Sequence, residues 1–132
     1  MLLPPSARRR LSTGCPKSIF FDDIADTGCL KDSLESSRIL VNATNVGMAP
    51  RVDACPIPDS SLLHPELIVS DIIYNPRKTR LYQMAEQIGC PTFNGMYMLL
   101  FQGAASFECW TGHKMPVEIV RQKYFQPQEE TV

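Results

Sequence analysis

The chain has 132 residues, of which 44% are hydrophobic and 20% are charged, and its formal net charge is −1. This length is enough for one globular domain with a real core but short for two. The net charge is close to zero, so the sequence lacks the excess of basic residues that is typical of proteins that bind nucleic acid or an anionic membrane. No apolar run approaches the roughly 18 residues of a membrane span. We therefore expect neither nucleic acid nor membrane as a partner.

The cysteines are scattered and do not form a recognisable site. They are Cys15, Cys29, Cys55, Cys90 and Cys109. Their number is odd, none forms a CxxC pair, and the chain has only two histidines. This pattern gives poor support to a disulfide framework or a zinc site. It indicates the reduced cysteines of a cytoplasmic protein without a metal centre.

The N-terminal segment is the least legible part of the sequence. Residues 1–17 hold three prolines and three consecutive arginines but no acidic residue. This composition is compatible with an organelle targeting peptide, although prolines break the helix that such peptides form, or with a basic turn that meets a phosphate. We favour a solvated, poorly ordered lead-in over residues 1–18, and a frayed polar tail over residues 126–132.

The first elements read as strand, helix, strand. Ile19–Phe21 has the composition of a short strand. Asp26 or Thr27 can cap a helix that runs to about Ser37. Residues 38–43 form a continuous apolar run of strand length, which is typical of a parallel strand buried on both faces.

The central part of the chain predicts two more strands around a helix. In order, it holds a proline-rich loop (44–65) with a helical turn near 60–63, a buried strand (67–74), a helix from Thr79 to Ile88 closed by Gly89, and a brief strand (90–93). This alternation predicts an α/β fold in which helices wrap a parallel sheet. Right-handed crossovers should connect the strands.

The stretch from Asn94 to Gly112 predicts one long helix that is apolar nearly all the way round. Such a helix belongs in the middle of a structure. Asn94 can cap its first turn, and Gly112 can close its last turn in the left-handed conformation. A final helix should start at Pro116 and continue through about Tyr124.

Gln102 is a long amide on this apolar helix. A buried glutamine must have its hydrogen bonds met by protein, water or a ligand. Two interpretations stay open, a bond to a neighbouring loop and a contact with a ligand, and the residues alone favour the first.

Three connectors mark a candidate binding crevice. In open parallel sheets, ligands bind beyond the carboxyl ends of the strands. Here those ends carry Thr44–Met48, Tyr74–Pro76 and Asn94-Gly95, which are unusual sequences for plain connectors. We expect them to line one crevice, with Gln102 one to two turns into the helix above it.

Four motifs in register carry a family resemblance. They are Leu40–Met48 (LVNATNVGM), Tyr74-Asn75-Pro76 with Lys78-Thr79, Asn94-Gly95 with Gln102-Gly103-Ala104, and Phe107-Glu108 with Trp110-Thr111-Gly112 and Met115-Pro116. In this order and spacing they resemble the C-terminal part of the shikimate/quinate dehydrogenase family, most strongly over residues 38–125.

The resemblance implies a fold and an activity. Residues 19–125 would be the C-terminal part of a Rossmann-like, doubly wound dinucleotide-binding domain, with its first two strands missing from this chain and with closing helices at its end. The activity would be hydride transfer between 3-dehydroshikimate/shikimate, or quinate, and NADP or NAD. The strand that discriminates the two cofactors has no match here, so NADP comes first on family grounds only.

The resemblance also implies roles for individual residues. Asn45 lies in the loop that approaches the cofactor, and Gly95 matches a glycine that lets backbone meet the nicotinamide amide. Gln102 matches a glutamine that hydrogen-bonds the substrate. The strand end that contacts the nicotinamide half of the cofactor is matched by Ile72, Ile73, Tyr74 and Asn75, and Tyr74 would also line the substrate pocket.

Departures from the family pattern concern catalysis. The sequence has no glycine-rich phosphate loop and no match for the family's lysine–aspartate pair, so no catalytic residue can be carried over.

In the doubly wound order 3-2-1-4-5-6 the first two strands are central. Without them, two strands would lose their neighbours. The alternative function is therefore a non-catalytic remnant that self-associates or binds a partner through exposed strand edges.

Overall fold

The computed structural model describes Arg9–Leu11 and Ile19–Phe125, with side chains described from Asp22 onward. The predicted lead-in lies mostly outside these residues, and the predicted tail lies wholly outside them. Within the described residues, no helix is long and apolar enough to cross a membrane.

A three-stranded parallel sheet forms the centre of the fold. Its strands are β3 (Ile39–Asn42), β4 (Ile68–Asp71) and β5 (Thr92–Phe93), in the order β3-β4-β5. The register sets Val41 beside Ser70, and Ser70 beside Phe93. Parallel strands with flanking helices confirm the predicted α/β class.

Among the described residues, six helical segments surround or follow this sheet. They are α1 (Thr27–Glu35), a 3₁₀ turn (Ser60–Leu62), α2 (Arg80–Ile88), α3 (Met96–Thr111), and α4 (Val117–Val120) with a π-helical turn (Arg121–Phe125). Asp26 is the cap of α1, because its carboxylate accepts from the N–H groups of Gly28 and Cys29. All of these segments lie close to their predicted positions.

The core lies on one face of the sheet. Its buried side chains come from α1, the loop after β3, β4 and α2: Leu34, Ile57, Leu63, Leu67, Val69, Leu81, Ala85 and Cys90. Leu81 and Ala85 are four residues apart and therefore share one face of α2. Burial of a leucine-sized side chain contributes about 1.5–3 kcal/mol, so this cluster carries much of the stability.

The opposite face of the sheet is open, and the prediction that β3 is buried on both faces is wrong. Ile39 is 58% exposed and Val41 is 54% exposed. Neighbouring residues of parallel strands point to the same face, so these two side chains share it with Phe93, which is 60% exposed. These three side chains are therefore largely uncovered in the described structure, while the side chains of the core lie on the other face.

The long helix α3 is not in the middle of the described structure, contrary to prediction. Only Leu100 is buried among its residues, while Phe101 and Trp110 are exposed. Its C-terminal end agrees with the prediction, because Gly112 is left-handed. The N-cap, however, is Gly95 and not Asn94, which lies one residue further out and whose side chain accepts from the N–H of Met96. The apolar pattern thus marks a helix that the described residues cannot bury by themselves.

The first strand pair forms a separate sheet. β1 (Arg9–Leu11) pairs with β2 (Ile19–Phe21) in antiparallel register. The strand at Ile19–Phe21 was predicted, but its place in the parallel sheet was not correct, and β1 was not predicted at all. Each strand thereby finds hydrogen-bond partners for one edge of its backbone in a segment nearby in the sequence.

Candidate functional site

A cleft of about 500 Å³ opens at the carboxyl ends of β3 and β4. Its walls come from the loop 43–49, the strand end 72–75 and Met98 of α3. This is the position where parallel sheets bind ligands, because the connectors diverge there. The structure therefore brings together five of the predicted residues: Asn45, Ile72, Ile73, Tyr74 and Asn75.

Asn42 shapes the loop wall of the cleft. Its side-chain oxygen accepts from the backbone N–H of Thr44 at 3.1 Å and from the Thr44 hydroxyl at 2.7 Å. Its amide nitrogen donates to the carbonyl of Val46 at 3.3 Å. The Thr44 hydroxyl in turn accepts from the N–H of Val46 at 3.1 Å. A single buried amide thus folds the loop back on itself.

Asp71 joins that loop to the strand end and to α2. Its carboxylate accepts from the Asn42 amide at 3.2 Å, from the N–H of Ile73 at 3.0 Å and from the Thr79 hydroxyl at 2.7 Å. Asp71, Asn42 and Thr79 are all buried. Thr79 also caps α2 by accepting from the N–H of Tyr82. A buried carboxylate requires such donors, so the three connections are mutually dependent.

Gly95 lies directly behind the strand end. Its N–H donates to the carbonyl of Ile73 at 3.0 Å. A Cβ atom at this position would lie 1.9 Å from the carbonyl oxygen of Ile72. Glycine is therefore required by the close approach of the two backbones, whatever the cofactor contributes.

Gln102 does not lie where the sequence suggested. Its side chain is exposed, and its amide donates to the carbonyl of Leu99 in its own helix at 3.1 Å. It is not among the residues that line the cleft, whereas Met98 is. The expectation of a buried glutamine fails because α3 itself is uncovered in the described structure.

Two residues outside the cleft have ordinary structural roles. Lys78 is ion-paired with Glu86 at 2.8 Å, and both side chains are about half exposed. Cys90 donates its thiol to the carbonyl of His64 at 3.2 Å, and burial raises the pKa of the thiol. A buried thiol with a raised pKa is a poor nucleophile, so Cys90 is not a catalytic candidate.

Sequence reasoning did not single out Asn42, Asp71 and Thr79 as site residues. A signal was present, because Asp71 is an acidic residue within the otherwise apolar strand 67–74. A charge in a buried strand has to be paired, and the residues at the ends of neighbouring strands are the nearest candidates.

Comparison with known proteins places this geometry in context. Residues 95–123 match the family model of the shikimate 5'-dehydrogenase C-terminal domain. The NADP(+) shikimate dehydrogenase of Listeria monocytogenes serotype 4b (strain F2365) is 45% identical over 113 residues, which is 86% of this chain and 38% of that protein. The chain thus spans well under half the length of the curated relatives that it matches.

Two solved structures show the same relationship. Shikimate 5-dehydrogenase from Listeria monocytogenes, in complex with shikimate and NAD, is 47% identical with a TM-score of 0.70, over 77% of this chain and 35% of that one. Quinate dehydrogenase from Corynebacterium glutamicum, in complex with NAD, is 30% identical with a TM-score of 0.64, over 73% of this chain and 33% of that one.

The parallel sheet, its flanking helices and the cleft at the strand ends define a Rossmann-like α/β fold. Within that class, the chain corresponds to the C-terminal part of the shikimate/quinate dehydrogenase family, whose members are oxidoreductases.

Proposed function

We propose that this chain is the C-terminal portion of an NAD(P)-dependent shikimate or quinate dehydrogenase, and that its cleft receives the nicotinamide half of the cofactor. The observation that carries the proposal is the cleft itself, which gathers Asn45 and Ile72–Asn75 at the carboxyl edge of the sheet. Bound NAD(P) would supply the hydride-transfer chemistry. The complete dehydrogenase, of which this chain would be a portion, would be cytoplasmic.

The lining of the cleft suits a nicotinamide. Ile72 offers apolar surface for one side of a flat ring, and Asn45 and Asn75 offer neutral amides that can bond a carboxamide without exchanging protons with it. Gly95 keeps the backbone close to this strand end. NADP is placed first because the curated relative is named for it, and NAD remains the alternative because two solved relatives contain it.

Gln102 and Tyr74 are proposed to contact the hydroxy-acid substrate. Tyr74 lines the cleft and is 46% exposed, so its phenol is accessible to a ligand. Gln102 is exposed on α3, so its amide is free to turn away from Leu99 towards a substrate held over that helix. A polyol substrate needs such neutral donors and acceptors. Neither residue is assigned a proton-transfer role, and no residue of this chain is proposed as catalytic.

The test is an NMR titration of the isotope-labelled chain with NADP⁺, then with NAD⁺. We expect the amide signals of Asn45, Tyr74 and Asn75 to shift, while the indole N–H of Trp110, which does not line the cleft, stays in place. Shifts confined to residues away from the cleft would contradict the proposal. In parallel, we expect the chain alone to oxidise neither shikimate nor quinate, because none of the residues that line the described cleft is a lysine, a histidine or a carboxylate that could take the hydroxyl proton.

A second candidate function is self-association of this chain. β3 is an edge strand of the described sheet, and its exposed side chains Ile39 and Val41 lie on the same face as the exposed Phe93 of β5. An apolar edge of this kind recruits another strand edge unless a charge blocks it. Light scattering over a range of concentrations should show a dimer or larger species that Val41→Lys disrupts.

The matched control for that experiment is Ile24→Lys. Ile24 is 56% exposed, close to the 54% of Val41, but lies outside the sheet. A monomer at every concentration, or equal effects of the two lysine substitutions, would remove the strand edge as the interaction surface.

A further inference from the structure

Asp71 is a buried acid that the proposed cofactor contacts do not use. Its side chain is 1% exposed, and it is not among the residues that line the cleft. Yet it lies at the end of β4, immediately before the strand end that forms one wall. A buried acid next to a binding cleft can have two roles. It can stabilise the fold as a whole, or it can fix the positions of the cleft walls.

The hydrogen bonds of Asp71 favour the second role. Its three donors belong to three different segments: Asn42 to the foot of the loop wall, Ile73 to the opposite wall, and Thr79 to the start of α2. Asn42 links Asp71 to the loop, because its side chain also accepts from the N–H of Thr44 and donates to the carbonyl of Val46. The carboxylate is thus the common acceptor on which both walls depend.

We propose that Asp71 is a positioning residue, which holds the loop 43–49 and the strand end 72–75 at the separation that a nicotinamide ring requires. This role rests on the proposed function for its ligand, but the geometry of the walls is a property of the unliganded chain. Moving either wall would leave a buried carboxylate short of a donor, and that penalty resists the movement. The hydrogen bonds of Asp71 therefore make the two cleft walls more rigid.

The experiment compares four forms of the full chain: wild type, Asp71→Ala, Asp71→Asn and Val69→Ala. Val69 is the matched control, since it is also 1% exposed, lies two residues earlier on the same face of β4, and has no polar side-chain atom. Two quantities are measured. These are amide hydrogen exchange without ligand, and the Kd for NADP⁺ or NAD⁺.

We expect Asp71→Ala to speed exchange at Thr44, Val46 and Ile73 about tenfold more than at core amides of α2, and to raise the dinucleotide Kd about tenfold. Val69→Ala should lower the melting temperature while leaving the ratio of cleft to core exchange unchanged and the Kd within about twofold. Equal effects of the two substitutions on that ratio would show that Asp71 serves only the core, which would overturn the proposal.

Asp71→Asn keeps the proposal testable should the alanine variant fail to fold. Its carbonyl can still accept from Asn42 and Ile73, but its NH₂ group must face the Thr79 hydroxyl, which then has to turn. Exchange should therefore quicken at Tyr82, whose N–H bonds to Thr79, and stay within about threefold of wild type at Thr44. A uniform change at both amides would contradict the proposed connections. Absence of dinucleotide binding by the wild type would refute the proposed function alone, because the exchange comparison needs no ligand.

Discussion

Replacing Gly95 with alanine should destabilise the chain even without any cofactor. The added Cβ would lie 1.9 Å from the carbonyl oxygen of Ile72, 2.5 Å from its carbonyl carbon and 3.2 Å from the carbonyl carbon of Ile73. Carbon and oxygen atoms that are not bonded separate by more than about 3 Å, so one backbone has to move by about 1 Å. The colliding atoms are main-chain atoms, which a rotamer change cannot relieve.

The size of the effect follows from two contributions. Overpacking of this kind costs about 1–3 kcal/mol, and the movement also breaks the bond from the Gly95 N–H to Ile73, which contributes about 0.5–1.5 kcal/mol. The free energy of unfolding should therefore fall by roughly 1.5–4.5 kcal/mol, and the melting temperature by about 5–20 °C. The larger side chain of Gly95→Val should act in the same direction and remove dinucleotide binding through the fold as well as through the site.

Thermal unfolding followed by circular dichroism measures this effect, with Gly103→Ala as the matched control. Gly103 lies inside α3, and a Cβ there would meet nothing within 4 Å. Alanine at that position should be neutral or stabilise the chain by about 0.5–1 kcal/mol, because glycine is a poor helix former. A Gly95→Ala variant that melts within about 2 °C of wild type would refute the close backbone approach.

Three further predictions concern single side chains. Gln102→Ala should leave the stability of this chain within about 0.5 kcal/mol of wild type by thermal unfolding, because its amide is exposed, but should raise KM for the hydroxy acid in a complete family enzyme. Thr79→Val should lower stability in urea unfolding by roughly 1–3 kcal/mol, since it leaves Asp71 short of a donor, whereas Thr79→Ser should retain most of it. Bonds from the N–H groups of Cys29 and Gly28 lower the pKa of Asp26, so its contribution is present above the unfolded-state pKa of about 3.9 and is lost as the pH falls through the folded-state value. The gap in melting temperature between wild type and Asp26→Ala should accordingly narrow below about pH 4; a gap that widens in acid would contradict this sign.

The local elements could be predicted from sequence because their signals are local. Asp26, Thr79 and Gly89 stand at helix boundaries and act as such in the structure. The cleft residues Asn45, Tyr74 and Asn75 were also predictable as neighbours, since the carboxyl ends of neighbouring parallel strands must meet at one edge. These inferences needed only the order of the elements and the physics of caps and sheets, whereas Ile72 and Ile73 were implied only by the family resemblance.

Burial was harder to predict because it depends on what covers each face. Apolar composition placed α3 and both faces of β3 in the interior, but Val41 and Trp110 are exposed in the described structure. The apolar composition of a helix or strand face indicates that the face is favourable to bury, but it does not identify the segment that covers it. Gln102 was misplaced for the same reason.

The most direct test of the central claim is saturation-transfer difference NMR of NADP⁺ with the full chain. The cleft is proposed to hold only the nicotinamide half of the cofactor, so saturation should reach the nicotinamide ring protons more strongly than the adenine protons. Asp71→Ala should weaken that transfer, while Ile24→Lys, which lies outside the sheet, should not. Stronger transfer to adenine than to nicotinamide, or no transfer to either ring, would contradict the account.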